Sequence, residues 1–201
     1  MTSLEPRAED LLPLPPPRED GPFSLETLLS RRRSLRTFSP LPVTREELSQ
    51  LLWSAQGVTH PQGFRTAPSA GALYPLETYV VNDQGVFRYV PLEHALVQLS
   101  KKDRRDELAH AALEQESISE APLVVGFTSV DARTARRYGE RAPRYAAMEA
   151  GHAAQNLLLA AVALDLGAVP IAAFDEERVR ELLTASPQET PLYLVPVGRA
   201  M

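Results

Sequence analysis

Apolar residues recur along the chain at helical spacing in two long stretches. Thr44 and Glu47 have the spacing of a capping box, and an apolar helical pattern follows them to about Gly57. A second pattern, at 145–166, is the longest in the chain and is apolar on most of its sides. A helix of that kind belongs in the interior or at a subunit interface, and we predict that Gly167 is its C-cap.

Other segments have the composition of strands. Segments 77–81 and 86–90 are rich in β-branched and aromatic residues and flank a polar turn, which predicts a hairpin. The run 122–130 is continuously apolar, as in a strand buried on both faces, and 192–197 predicts a last strand. Shorter helices are predicted after Ser24, over 103–113 and over 175–183, and a short strand or strand-like loop over 168–174. Helices and strands mix without strict alternation, which indicates an α+β sandwich.

Composition and charge exclude several classes of function. The 201 residues carry a formal net charge of -5, which argues against a general binder of nucleic acid or anionic membrane. The chain has no cysteine, and its four histidines lack the spacing of a helical metal site, so neither disulfides nor a metal centre are expected. The longest apolar run is too short to span a bilayer, and no signal pattern opens the chain. A cytoplasmic protein is expected.

Two regions differ in composition. Residues 1–22 are acidic and proline-rich and predict an extended arm. Such an arm can be a loose end or a strap along a neighbouring subunit, or it can recruit a partner. Residues 23–201 predict a single domain.

The densest candidate chemistry lies at 31–38, where four arginines and two hydroxyl residues occupy eight positions. Planar guanidinium groups suit phosphate oxygens, and Ser34 and Thr37 can add short hydrogen bonds. The alternative is that these arginines complement the negative end of the preceding helix dipole. Because the chain is acidic overall, a phosphate site here would serve a small ligand.

Three further stretches are candidates, each with a structural alternative. Segment 65–75 consists largely of small residues, so its backbone can approach a flat ligand, or it is a plain surface loop. Segment 167–175 contains Pro170, which lacks an N–H and suggests a strand end facing a cavity, although packing alone would also explain it. Segment 136–145 alternates arginine and tyrosine, which can bind and protonate a polar substrate or form a solvated basic loop.

Together these stretches resemble the FMN-dependent nitroreductase superfamily, most closely its SagB-type dehydrogenase branch, from about Arg31 to Arg199. The resemblance rests on five segments in order, which are 32–38, 67–77, 149–157, 167–175 and 191–198. It implies a homodimeric three-layer sandwich, with a central, mostly antiparallel sheet flanked by helices and two FMN molecules at the subunit interface. NAD(P)H is a possible electron donor, although the chain has no glycine-rich dinucleotide fingerprint.

The resemblance also implies which residues hold FMN. Those expected at the phosphate and ribityl chain are Arg32, Arg33, Ser34 and Arg36, with Arg199 as a further cation. Those expected beside the ring from the other subunit are Pro68, Ser69, Ala70 and Gly71. Those expected against the isoalloxazine are Pro170, Ile171, Ala172 and Ala173, with a backbone N–H near Ala172 or Ala173 donating to flavin N5.

One departure affects the predicted chemistry. SagB-type azoline dehydrogenases resemble each other in a Lys-Tyr pair thought to transfer protons, and that position here is Arg137-Tyr138. Arginine stays protonated and is a poor general base, so Tyr138 or a bound water would have to take the proton. The resemblance implies two-electron ping-pong chemistry on a nitroaromatic, quinone or azoline. The alternative is a scaffold of a biosynthetic complex that keeps the flavin fold without catalysis.

Overall fold

The computed structural model describes residues 10–201, and its frame is a seven-stranded antiparallel sheet. The strands are β1 (Leu11–Pro13), β2 (Leu76–Asn82), β3 (Gly85–Val90), β4 (Ala95–Ser100), β5 (Leu123–Ser129), β6 (Gly167–Ala168) and β7 (Thr190–Gly198). Their order across the sheet is β1-β4-β3-β2-β5-β7-β6, and every neighbouring pair is antiparallel. The first nine residues of the predicted arm lie outside the described residues.

Helices cover both faces of this sheet. They are α1 (Leu25–Arg31), α2 (Arg45–Gln56), α3 (Arg105–Ala111), α4 (Glu116–Glu120), α5 (Asp131–Tyr138), α6 (Ala142–Ala163) and α7 (Glu176–Leu182). Alternate residues of β5 face opposite sides of the sheet. Val125 packs in the core that contains α2 and α6, and Val124 packs in the core that contains α3, α4 and α7. The predicted three-layer α+β sandwich is therefore confirmed. None of the helices in residues 10–201 is long and apolar enough to cross a bilayer.

Local sequence signals account for the elements nearest the site. In α2 the predicted capping box is present, because the backbone N–H of Glu47 donates to Thr44 Oγ1 at 3.2 Å and that of Thr44 to Glu47 Oε2 at 2.8 Å. Strand β5 is buried along its whole length, as its continuous apolar run predicts. Both elements are confirmed.

The end of α6 differs from the prediction. The helix ends at Ala163, and Asp165 rather than Gly167 takes the left-handed conformation, with φ of 57°. The backbone N–H of Leu166 donates to the carbonyl of Ala161 at 2.8 Å, which is the long bond of a Schellman motif. An aspartate tolerates this conformation better than most side chains. Gly167 as a C-cap is therefore wrong, because that residue already belongs to β6.

The described part of the arm lies on the protein's own sheet. Leu11 pairs with Val97 in β4, and Leu14 is buried in the core. The carbonyl of Pro15 accepts from Ser49 Oγ at 2.5 Å and lies 3.0 Å from His94 Nε2. From Leu11 onward the arm is a strap along the subunit that carries it.

Candidate functional site

The arginine segment, residues 31–38, begins where α1 ends. Arg33 Nη1 donates to the carbonyls of Ser30 at 2.9 Å and of Arg32 at 2.7 Å, so it satisfies carbonyl groups at the helix end. Within residues 10–201, Arg32 and Arg36 form no ion pair. The alternative in which the arginines only satisfy the helix end therefore describes Arg33, and no such contact accounts for Arg32 or Arg36 within the described residues.

The arginine segment runs beside the small-residue path, residues 167–174. The backbone N–H of Leu35 donates to the carbonyl of Ala168 at 3.2 Å, and Ser34 forms a parallel bridge with Ala168. A groove of about 320 Å³ follows this contact. Its lining includes Arg31, Arg33, Ser34, Leu35, Val162, Asp165, Gly167 and Ala200. The fold therefore brings two of the predicted binding segments together.

The small-residue path leaves the sheet just after Ile171. Ile171 exchanges two backbone hydrogen bonds with Leu194, at 2.8 and 2.9 Å. Ala172 and Ala173 are exposed, and in the described chain their backbone N–H groups donate to no other protein group. Pro170, which has no N–H, is half-buried beside them. This edge offers backbone donors that need no particular side chain.

Arg199 has a structural partner in the chain. Its guanidinium donates to Glu47 Oε1 at 2.5 Å and to the carbonyl of Pro42 at 3.0 Å. This contact ties the C-terminal segment to α2. These contacts occupy only some of the five N–H donors of the guanidinium, and the predicted role of Arg199 as a phosphate ligand remains a prediction.

The glycine loop, residues 65–75, has a strained backbone that its own side chains hold in place. Ala72 and Tyr74 have positive φ angles of 54° and 46°, which are unfavourable for residues other than glycine, and Gly71 beside them has φ of 64°. The backbone N–H of Tyr74 donates to Ser69 Oγ at 2.9 Å, and the guanidinium of Arg65 stacks 4.5 Å from the centre of the Tyr74 ring. A plain surface loop would carry fewer such contacts.

The predicted catalytic pair lies against this loop. A Cβ atom on Gly71 would be 3.0 Å from Tyr138 Oη and 3.1 Å from Arg137 Nη1. Tyr138 also packs edge-on against Tyr145, with ring centres 5.1 Å apart. Gly71 therefore leaves the space in which both side chains reach the loop.

Glu149 in α6 is a buried acid that the predicted site did not include. Its exposed fraction is 2%, and within residues 10–201 its Oε1 atom has no hydrogen-bond partner. Burial raises the pKa of Glu149 to about 7, which the Ser69 hydroxyl and the charge of Arg65 offset only in part. The sequence feature that could have identified Glu149 is an acidic residue inside a largely apolar helical pattern.

The two groups of site residues lie at different levels of α6. The arginine segment and the small-residue path adjoin Val162, whereas the glycine loop shares a cavity with Tyr145 and Glu149. Because an α-helix rises about 1.5 Å per residue, Glu149 and Val162 are roughly 20 Å apart along the axis. The Thr66 end of the glycine loop reaches Asn156, whose Nδ2 donates to the Thr66 carbonyl at 3.3 Å. Within one chain, the cavity at Ser69 and Glu149 is therefore separated along α6 from the groove of the arginine segment.

Comparisons with known proteins agree with this architecture. A sequence profile described as the Nitroreductase family matches residues 29–199. A protein of Methanocaldococcus jannaschii that is named as a nitroreductase is 46% identical over 183 residues, which make up 88% of this chain and 91% of that protein.

Two solved structures share the fold. One from Ralstonia eutropha, also named as a nitroreductase, is 30% identical, with a TM-score of 0.87 over 100% of this chain and 96% of that one. A chain of the Escherichia coli microcin synthetase complex is 21% identical, with a TM-score of 0.74 over 92% of this chain and 75% of that one. At that identity the second likeness is one of fold alone.

Proposed function

Because this chain belongs to the nitroreductase family, we propose that it is an FMN-dependent oxidoreductase that passes two electrons to or from a small organic substrate. FMN, when bound, supplies the hydride and electron chemistry, and the protein supplies position, charge and access. The observation that carries the proposal is the contact of the arginine segment with the small-residue path.

The residues at that contact fit a flavin phosphate and ring. Ser34 would add a hydroxyl in the groove that it lines together with Arg31 and Arg33, and Arg32 and Arg36, which adjoin this lining in sequence, would provide guanidinium donors for the phosphate. The exposed backbone N–H groups of Ala172 and Ala173 can donate to a polar ring atom without any side chain.

The second half of the proposal is a homodimer. Since the groove of the arginine segment and the cavity at the glycine loop, here called the two half-sites, lie roughly 20 Å apart along α6, a second copy would complete each site by bringing its glycine loop to the first copy's arginine segment. The exposed side of α6 near the glycine loop carries Met148, which is 49% exposed, and His152. A two-fold contact through this helix would cover them and form two equivalent sites.

Within the completed site, Tyr138 would hold or move the reacting proton at its hydroxyl. Arg137 stays protonated, so its role would be to attract or orient a polar substrate. A SagB-type azoline dehydrogenase remains one form of the proposal, alongside reduction of a nitroaromatic or quinone by NAD(P)H. The arginine at the position of the SagB lysine favours the reductase form.

The first test is anaerobic addition of NADH and NADPH to the FMN-loaded protein, followed in the flavin absorbance band. We expect bleaching by at least one nucleotide and recovery of the colour on addition of a nitroaromatic or quinone. Stable colour with both nucleotides would direct the search to organic electron donors such as azoline peptides. A protein that takes up no FMN would overturn the proposal.

Mixing two impaired variants tests the shared site, at an FMN concentration that fills the wild-type protein but not the Arg36→Ala variant. One variant carries Arg36→Ala, which alters the arginine half, and the other carries Tyr138→Phe, which alters the loop half. If the halves come from different copies, mixed dimers contain one intact site of two, and refolding the variants together restores activity. If both halves come from one chain, mixing restores nothing, and the dimeric site is wrong.

The scaffold function is the second candidate, and Arg137 is the observation that favours it. The microcin synthetase chain contributes a likeness of fold alone. A scaffold would bind FMN and show no turnover with any reductant. Bleaching by NADH or NADPH would therefore exclude it.

A further inference from the structure

Glu149 occupies a position that an apolar residue would fill at less cost. It lies in α6 between the fully buried Ala146 and Ala150, with one carboxylate oxygen unpaired among the described residues. A buried polar atom without a partner destabilises the fold, because it loses its hydrogen bonds to water and gains none in return. Such a residue is a candidate for chemistry rather than for packing.

The neighbour of Glu149 on the glycine loop is Ser69. A serine hydroxyl has one proton to donate and two lone pairs that accept. One lone pair of Ser69 Oγ already accepts from the backbone N–H of Tyr74 at 2.9 Å. The remaining lone pair and the proton are therefore available, one for a hydrogen bond with Glu149 and the other for a ligand in the predicted flavin site.

This geometry allows two hydrogen-bond arrangements. An ionised Glu149 can accept the Ser69 proton, because the two side chains line the same cavity. When Glu149 is protonated, it can donate to Ser69, whose own proton then turns toward the site. A cavity of about 250 Å³, lined by Ser69, Tyr145, Glu149 and His152 among others, adjoins both groups.

The charged and titratable groups around Glu149 come from several elements. Arg65 of the glycine loop is the nearby cation that favours the carboxylate. On α6 itself, Tyr145 and His152 line the same cavity. Arg137 and Tyr138 lie over Gly71 at the end of α5, and Arg133 is paired with Glu77 of β2 below the loop. Burial outweighs the nearest of these charges and raises the pKa of Glu149 to about 7.

We propose that Glu149 is a positioning residue that stores a proton for the site and exchanges it through Ser69. The proposal rests on the proposed function, in which Ser69 lies beside the flavin of a second copy. A quinone that receives a hydride needs one more proton for full reduction. The O–H bond of protonated Glu149 breaks, the Ser69 proton passes on, and solvent reprotonates the carboxylate through the cavity.

The direct test is the infrared band of the protonated carboxyl, followed with pH in the protein with and without FMN. We expect a carboxyl that titrates close to neutral pH in the wild type and is absent in Glu149→Gln. The matched control is Glu189→Gln, which alters another buried glutamate, one that accepts from Tyr79 Oη at 2.8 Å and from Thr128. The Glu189→Gln variant should show the same carboxyl titration as the wild type. Ser69→Ala should raise its midpoint, because the lost hydrogen bond favours the ionised form.

The kinetic test is the pH profile of quinone reduction by the FMN-loaded protein. The relay predicts an inflection close to pH 7 in the wild type and in Glu189→Gln and none in Glu149→Gln. An unchanged inflection in Glu149→Gln would overturn the relay and leave the proposed function intact. If Glu149→Gln does not fold, an unshifted titration in Ser69→Ala overturns the relay instead. A protein that binds no FMN would overturn both proposals.

Discussion

The backbone of Gly167 passes so close to Leu35 that a Cβ atom on residue 167 would lie 2.4 Å from Leu35 Cδ2. Leu35 is in the middle of the arginine segment, and Gly167 begins the small-residue path. Together with the hydrogen bond from Leu35 to Ala168, this contact sets the distance between the two predicted FMN-binding segments. Its disruption should therefore affect stability and flavin binding together.

Gly167→Ala tests that relationship. Overpacking of this kind usually costs about 1–3 kcal/mol, since either the leucine or the strand must move. We expect a loss of that size in urea unfolding and weaker FMN binding in a fluorescence titration. The control is Gly21→Ala, where a Cβ atom would meet nothing within 4 Å. Equal stability and affinity in the two variants would show that the contact does not define the groove.

Arg36→Ala tests the phosphate half of the site. A hydrogen bond to a charged group contributes about 1.5–3 kcal/mol, so we expect a roughly 10- to 100-fold loss of FMN affinity. Arg33→Ala should lose less, because that guanidinium already donates to backbone carbonyls. Lys101→Ala removes an exposed cation after β4 and should leave the affinity unchanged. An Arg36→Ala variant that binds FMN as tightly as Lys101→Ala would contradict the assignment.

Glu149 also predicts a pH dependence of stability. Its pKa is raised from 4.5 in the unfolded chain to about 7 in the fold. Its stabilising contribution is thus fully present below pH 4.5 and is lost as pH rises through 7. Glu149→Gln should therefore gain up to about 3 kcal/mol relative to the wild type between pH 5 and pH 8. Urea unfolding at these two pH values measures the difference, and a constant difference would contradict the raised pKa.

His94 predicts that the docking of the arm depends on pH in the opposite direction, with the arm less stable at low pH. It lies 2.7 Å from Ser49 Oγ and 3.0 Å from the carbonyl of Pro15, and burial lowers its pKa. Because the pKa of His94 is lower in the fold than its usual value of 6.5, His94 stabilises the docked arm above pH 6.5. This stabilisation is lost as the pH falls through the lowered pKa. We expect the backbone amides of residues 10–18 to be less protected at pH 5 than at pH 7, once the observed exchange rates are corrected for the intrinsic rate at each pH.

Two variants make the arm prediction specific. His94→Asn should remove the pH dependence, and asparagine tolerates the positive φ of 42° at this position. The control His110→Ala alters an exposed histidine that is paired with Glu114 and should leave exchange in the arm unchanged. If the pH effect on the arm remains in His94→Asn, a group other than His94 is responsible for it.

The sequence predicted those elements that carry strong local signals. The capping box at Thr44, the apolar run of β5 and the Asp175 cap of α7 each predict an element that the structure contains. Strand β4 and helices α4 and α5 were not predicted. Thr134 is the one buried residue of α5. The sequence of this helix therefore has almost no apolar periodicity from which it could be predicted. Tertiary contacts rather than periodicity specify that helix.

The site could be predicted only in pieces. The arginine segment and the small-residue path were singled out separately, and their contact depends on the pairing of Ser34 with Ala168, which no local pattern encodes. The role of Gly167 was misassigned for the same reason, because packing against Leu35 explains the glycine better than the helix end does. Glu149 was missed because burial, which gives it an unusual pKa, is a property of the folded chain.

Both edges of the sheet are closed by residues from the first forty of the chain, and this affects the order of folding. Leu11 pairs with Val97 at one edge, and Ser34 pairs with Ala168 at the other. During synthesis these segments emerge first, yet their partners are made much later. Contacts that distant in sequence form slowly, since a long loop must close before they contribute. The N-terminal segment, made first, should therefore be among the last to dock, and the half-site that contains Ser34 should form only when the sheet is nearly complete.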